Sequence, residues 1–166
     1  MGGKEMRYVD RYSSPLGWIT LAADGAALTG LWFEGQKYAG DVSGYRQAAL
    51  PVFDETKRWL DVYFRGADPG PVPPLAPAGT AFRQAVWGVL AAIPYGQTMT
   101  YGQISRILAQ QRGSSSPRAV GSAVGHNPIS ILIPCHRVVG AGGTLTGYAG
   151  GLERKRKLLA LERGER

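Results

Sequence analysis

The chain has one cysteine and two histidines in 166 residues. A single thiol excludes any disulfide within the chain and any zinc site built from several cysteines. Two histidines leave a metal ion short of good ligands. No apolar run approaches the length of a membrane span, and no signal-peptide pattern opens the sequence. Gly2 follows Met1, but Met6 stands where a myristoylation motif needs Ser or Thr. Acidic side chains are also few, 12 against 19 Lys and Arg, for a net charge of +7. That balance favours a polyanionic partner, nucleic acid above all, although a solvated basic face gives the same count. The expectation is a reduced protein of the cytosol, or of the nucleus in a eukaryote, with no membrane association.

Hydrophobic residues make up 44% of the chain, with four Trp, eight Tyr and four Phe, which is enough for a packed core. The lone cysteine sits in Ile131-Leu132-Ile133-Pro134-Cys135-His136-Arg137-Val138-Val139. Most single cysteines are small buried hydrophobes. A thiol beside an imidazole is also a nucleophile candidate, because the thiolate is the reactive form and a base or nearby positive charge helps form it. Side chains of adjacent residues diverge in an extended chain, so a relay through water is more plausible than direct contact.

Composition divides the chain into three. Residues 1–66 alternate as short strands over 6–13, 17–23 and 27–34, with turns at Ser14-Pro15-Leu16-Gly17 and Asp24-Gly25. Pro51 then opens a helix whose stripe is Phe53, Thr56, Leu60, Tyr63 and Phe64, and Gly66 stops it. This part reads as a scaffold without a chemical constellation. Residues 67–79 form an extended connector, since the five prolines between Arg65 and Gly79 forbid a helix or a central strand. Residues 80–166 are mostly helical. The fold class is α+β: a small antiparallel sheet with a helix, then a helical domain.

In that last part Thr80 caps a helix with Phe82, Val86, Val89, Leu90 and Ile93 on its inner side. Thr100 and Gln103 fit a capping box for a second helix, whose inner face is Ile104, Ile107 and Leu108. A polar loop is expected over 110–115. Ser116 and Pro117 open a third helix that ends at Gly125. The last two helices fit either an ordinary helical hairpin or a helix-turn-helix that binds DNA. The outward face of the third helix is Arg118, Ala119, Gly121 and Ser122, one long cation among very small side chains. A major-groove reader needs longer polar groups to reach base edges. This face suits close backbone approach to the walls of the minor groove, with little sequence specificity. The closing helix carries the run Arg154, Lys155, Arg156 and Lys157, read as a mainly solvated face. Glu162 shares the side of Leu158 and Leu159, so it either pairs with a buried group such as His136 or lies in a frayed tail.

Several matches in order then support a resemblance: Phe82-Arg83 with Val86-Trp87, Ile93-Pro94 with Gly96, Thr100-Tyr101, Arg118-Ala119-Val120-Gly121, Asn127-Pro128, Pro134-Cys135-His136-Arg137-Val138, Gly147-Tyr148 with Gly150-Gly151-Leu152, and Leu158-Leu159 with Glu162. Together they resemble the O6-alkylguanine-DNA alkyltransferases, which take alkyl groups from O6 of guanine in DNA onto one cysteine. The resemblance implies that Cys135 is the acceptor, that His136 is its base through a water, and that Glu162 orients His136. It implies that Asn127 braces the turn, that Tyr101 helps flip the nucleotide and polarises the guanine, and that Arg118 replaces the extruded base. Arg137 joins the DNA contacts. Leu145, Gly147, Tyr148 and Ala149, with Val124 and Val138, shape the pocket. No cofactor and no metal are implied, and the protein acts as a monomer on double-stranded DNA carrying O6-alkylguanine, with O4-alkylthymine a further candidate.

Three departures stand out. Some relatives hold a structural zinc in the N-terminal half, where this chain has no Cys and no His. Ala149 stands where some members have Ser, so a contact there comes from its backbone N–H. The loop 110–116 is longer than in some relatives. Two other readings compete. A non-catalytic sensor of alkylated DNA lacks the cysteine that is present here, and a hydrolytic cysteine enzyme needs an oxyanion hole that nothing here demands.

Overall fold

The computed structural model describes residues 6–165. Strands β1 (Tyr8–Ser14), β2 (Gly17–Ala23) and β3 (Leu28–Phe33) form an antiparallel meander. Gly17 turns the first hairpin with φ at +115°, and the Ser14 hydroxyl donates to the Gly17 carbonyl at 2.6 Å. Asp24 closes the second turn by accepting from the backbone N–H groups of Ala26 and Ala27, both at 2.9 Å. The sheet is mixed rather than purely antiparallel. A two-residue strand β4 (Arg46–Gln47) pairs parallel with the edge of β1. Helix α1 (Pro51–Phe64) lays Val52, Phe53, Thr56, Trp59, Leu60 and Tyr63 into the core. Trp59 takes a place in the stripe that periodicity assigned to Phe64, which is half-buried.

The proline-rich connector is extended and docked, not free. Leu28 N–H donates to the Pro74 carbonyl and Ala76 N–H to the Leu28 carbonyl, each at 2.8 Å, so the connector pairs with the outer edge of β3. Further along the same edge, Leu31 N–H donates to Pro128 O at 2.9 Å and Ser130 N–H to Leu31 O at 3.0 Å. The sheet therefore grips the segment that leads to Cys135.

Helices α2 (Ala81–Ala91), α3 (Tyr101–Arg112) and α4 (Pro117–Gly125) pack around one another. The Thr80 side chain caps α2, Thr100 and Gln103 form the full capping box of α3, and Ser116 caps α4. The polar loop is shorter than expected. Gln110, Gln111 and Arg112 continue α3, because the chain breaks only where Gly113 adopts a left-handed φ of +87°. Trp87 is buried beside the expected α2 stripe, and its indole N–H donates to the Ala123 carbonyl at 2.9 Å, locking α4 onto α2. Strands β5 (Met99–Thr100) and β6 (Val138–Val139) pair parallel and tie the start of α3 to the residues after the cysteine. Helix α5 (Leu152–Glu162) closes the fold. Among the described residues no helix is long and apolar enough to cross a membrane.

Trp87→Phe removes a buried hydrogen bond and part of a core ring. Its expected cost is about 2 kcal/mol, read as a lower urea midpoint at unchanged m-value.

Candidate active site and DNA-facing surface

Pro134 ends the apolar run, and Cys135–Arg137 form one 3₁₀ turn, closed by Arg137 N–H donating to Pro134 O at 3.0 Å. Asn127 holds the approach to this turn from both sides. Its amide donates to Ile133 O at 2.8 Å, and its carbonyl oxygen accepts from Ile129 N–H at 3.0 Å. All three residues of the turn are buried.

Glu162 on α5 is where the turn's polar groups converge. Its Oε2 accepts from His136 Nε2 and from the Tyr63 hydroxyl, each at 2.6 Å, and from Arg137 Nη2 at 3.1 Å. Its Oε1 accepts from Arg137 Nε at 2.8 Å and from Gly96 N–H at 3.1 Å. Burial alone would raise the Glu162 carboxyl. The hydrogen bonds from His136, Arg137 and Tyr63 overcome it and hold the carboxyl well below the usual range. A carboxylate only accepts, so His136 donates from Nε2 and Nδ1 carries the lone pair. Nδ1 is buried and meets no partner among the described residues. Burial pushes the imidazole below its ordinary value against the pull of Glu162, and Arg137 and Lys155 push the same way. His136 is thus a neutral base with an open acceptor.

Burial pushes the Cys135 thiol up, opposed by the Asn127 side chain, the Lys155 ammonium, backbone hydrogen bonding and Tyr148. The Tyr148 hydroxyl lies against Cys135 and Ser130 without completing an aligned hydrogen bond. Lys155 is fully buried, not solvated with its neighbours in the charge run. Its ammonium donates to Val138 O at 2.5 Å, Thr146 O at 3.0 Å and Gly147 O at 3.4 Å, and burial lowers its pKa to about 8. Arg154 is also engaged, donating to the carbonyls of Leu16, Glu34 and Gly150 over the Phe33 ring. Only Arg156 and Lys157 of the run are exposed.

A cavity of about 270 Å³ shares Tyr148 with this cluster and is lined besides by Tyr101, Gly121, Val124, Gly125, Gly147 and Ala149, with Lys37 and Tyr38 from the sheet side, while Cys135 itself does not line it. The sequence-derived pocket residues Val124, Gly147, Tyr148 and Ala149 meet there. Val138 does not line it, being fully buried in β6, and Leu145 does not either, lying 38% exposed on the surface. Arg118, Ala119 and Ser122 stand exposed on α4, and Gly121 is half-buried facing Tyr101. Arg137 corrects an expectation. Its guanidinium points inward to Glu162 and Ile93 O and is 9% exposed, so it does not belong to a DNA-facing surface. Periodicity could have found Lys155, which lies three, four and seven residues before Leu158, Leu159 and Glu162. Lys37 and Tyr38 reach the site through tertiary packing and had no local signal, while Tyr63 was legible only as a buried stripe residue and Gly96 only as a matched position. Among the described residues no group of three or more His, Cys, Asp or Glu could hold a metal ion.

The site thus joins a lone buried thiol, an adjacent imidazole paired with a buried carboxylate, and a cavity lined from α3 and α4. Comparison with known proteins sets the chain in its family. Residues 81–164 match the DNA binding domain of 6-O-methylguanine DNA methyltransferase, and residues 8–69 match that family's ribonuclease-like domain. The methylated-DNA–protein-cysteine methyltransferase of Haemophilus influenzae is 44% identical over 94% of this chain and 86% of its own length. The protein of the same name from Methanosarcina acetivorans is 42% identical over 93% of this chain and 97% of its own. The crystal structure of Mycobacterium tuberculosis OGT in complex with DNA superposes with a TM-score of 0.83 at 43% identity, covering 95% of this chain and 93% of that one. The chain belongs to the 6-O-methylguanine DNA methyltransferase family.

The buried pair makes acid destabilising. His136 lies below its ordinary 6.5 in the folded chain. As pH falls through that value the unfolded chain takes the proton first, and stability falls. Glu162, held below 4.5, adds a second loss at lower pH. Urea midpoints are expected to fall from about pH 7.5 to about pH 5.5, and His136→Gln to flatten that limb. An equal slope in both proteins refutes the assignment.

Proposed function

We propose that this chain repairs DNA by direct reversal, moving the alkyl group from O6-alkylguanine in double-stranded DNA to Cys135. The observation that carries the reading is the buried His136–Glu162 pair, with Nδ1 left open, one residue from a thiol whose electrostatic neighbour Tyr148 lines the cavity. In the resting protein the thiol stays protonated. His136 Nδ1 takes its proton through a water, Glu162 steadies the resulting imidazolium, and the Lys155 ammonium favours the thiolate. The thiolate attacks the alkyl carbon in line. The carbon–O6 bond breaks, and its electrons stay on the guanine. The Tyr101 hydroxyl offsets that developing charge, and a proton returns to the guanine. A thioether is a poor leaving group, so each chain acts once.

The target atom lies inside the duplex, so the nucleotide must leave the stack. Arg118 on exposed α4 fills the gap, while Ala119, Gly121 and Ser122 let the helix backbone approach the minor groove without reading sequence. Asn127 braces the reactive turn, and Val124, Tyr148 and the Ala149 backbone shape the pocket. Residues 80–166 carry this chemistry, residues 1–66 are the scaffold, and 67–79 join them. The protein works as a monomer, in a reducing compartment that holds DNA: the cytosol, or the nucleus of a eukaryote.

Mixing the chain with duplex DNA carrying one O6-methylguanine is expected to add one methyl per protein, on the peptide with Cys135, by mass spectrometry. Cys135→Ala should gain none, and His136→Gln should react slower by on the order of 10²-fold. Lesion binding without an adduct would instead mark a damage sensor. The methylated protein is expected to melt a few degrees lower, since an added methyl strains a packed site by about 1–3 kcal/mol. An unchanged or raised melting temperature refutes that strain.

A further inference from the structure

The connection between β3 and β4, residues 34–45, brings an aromatic side chain to the cavity from the half of the chain that otherwise serves as scaffold. Gln36 is its buried nail: the side-chain carbonyl accepts from Phe33 N–H and from the Ser130 hydroxyl, each at 3.1 Å. Lys37 N–H donates to Ala149 O at 2.9 Å, which fastens the loop to the cavity's other lining segment. Between these anchors and the far end of the loop stands Tyr38. It is 55% exposed, yet it adopts a left-handed φ of +60° that non-glycine residues seldom take. Such a conformation persists only where the surroundings hold it, and it marks candidate functional positions. Neighbouring side chains hold it. The Tyr38 ring stacks on His126 with centroids 4.0 Å apart and planes 25° from parallel, and Lys37 Nζ lies 5.2 Å from the same ring. His126 directly follows α4 and is itself fixed by its Nδ1 contact with Ser122 O at 2.8 Å.

We propose that Tyr38 is a specificity-determining residue: its ring, held by His126, forms a wall of the cavity and limits the size of the alkyl group that fits. The inference rests on the cavity being the alkylguanine pocket. A flat ring is the right material for such a wall, since it can lie against a base or an alkyl substituent without needing a hydrogen-bond partner. Hydrophobic walls discriminate by size and only modestly, which suits a protein that accepts a family of adducts. Tyr38 makes no contact with Cys135, His136 or Glu162 in the network above, so removing it alters fit and not proton transfer.

The test compares rates of alkyl transfer from two duplexes, one carrying O6-methylguanine and one O6-benzylguanine. The ratio of the two rates is independent of how much of a preparation is active. Tyr38→Ala is expected to raise the benzyl-to-methyl ratio by roughly fivefold or more, while Tyr38→Phe, which keeps the ring, stays within about twofold of wild type. His126→Ala, which frees the ring, should move the ratio in the same direction as Tyr38→Ala. A ratio in Tyr38→Ala at or below that of wild type overturns the proposal, as does an equal loss on both duplexes, which would mark a general DNA-docking role. Wild-type protein that transfers neither group overturns the proposal together with the function on which it rests.

Discussion

A carboxylate whose side chain is 1% exposed has lost nearly all its water, and the loss is tolerable only if the protein supplies donors in its place. Glu162 receives them from three separate parts of the chain: Tyr63 on α1, Gly96 in the turn before β5, and His136 with Arg137 in the cysteine turn. No one of these elements would be positioned by its own sequence. The turn at Pro94-Tyr95-Gly96 needs a residue with φ at +78°, and Gly96 supplies both that angle and the N–H that reaches the carboxylate. Removing a single partner would leave a buried charge underpaired, a defect of about 3–5 kcal/mol for ion pairs of this kind. The side chain that ties these elements together is therefore the same one that the proposed reading gives the task of orienting His136.

That arrangement also decides the resting state of the thiol. Burial raises Cys135 and lowers His136, so both are neutral in the resting protein. The charges nearby, Arg137 and Lys155, are held by carbonyls and by Glu162 rather than by the thiol. On the proposed reading a thiolate forms only when a proton has somewhere to go and an alkyl carbon is at hand. A single-use nucleophile gains from this, because a freely ionised thiol would react with the wrong electrophile.

What could be read from the residues followed distance along the chain. The strands, α1, the capping box of α3 and the cap of α4 rest on neighbours within a few positions, and they stand close to where local rules put them. Glu162 was legible as one of two alternatives because it shares a helical face with Leu158 and Leu159. Lys155 obeys the same spacing, but a lysine among arginines reads as solvated by default, and only the carbonyls of Val138, Thr146 and Gly147 converging on it say otherwise. Arg137 was placed among the DNA contacts by the resemblance, whereas its guanidinium turns inward to Glu162 and Ile93 O. The helical stripe announced the burial of Tyr63 but not its partners, which lie 73 and more residues away, and Tyr38 stands in a loop without periodicity that no local pattern announces.

The sheet is more than a platform for this site. An outer strand with free N–H and C=O groups is a hazard that proteins cover. Here β3 is covered by two pieces of its own chain, the connector at Leu75 and the pre-cysteine segment at Ile129. The second pairing carries a burden, since Ile131, two residues further on, is buried with φ at +70°, a costly angle for a β-branched side chain. Backbone bonds from Leu31 on one side and the Asn127 amide on the other hold the chain through it. The strain sits four residues before the nucleophile, between two fixed points. A reactive turn built this way has little room to relax around an added group, and the same edge pairing that protects the sheet aims the cysteine.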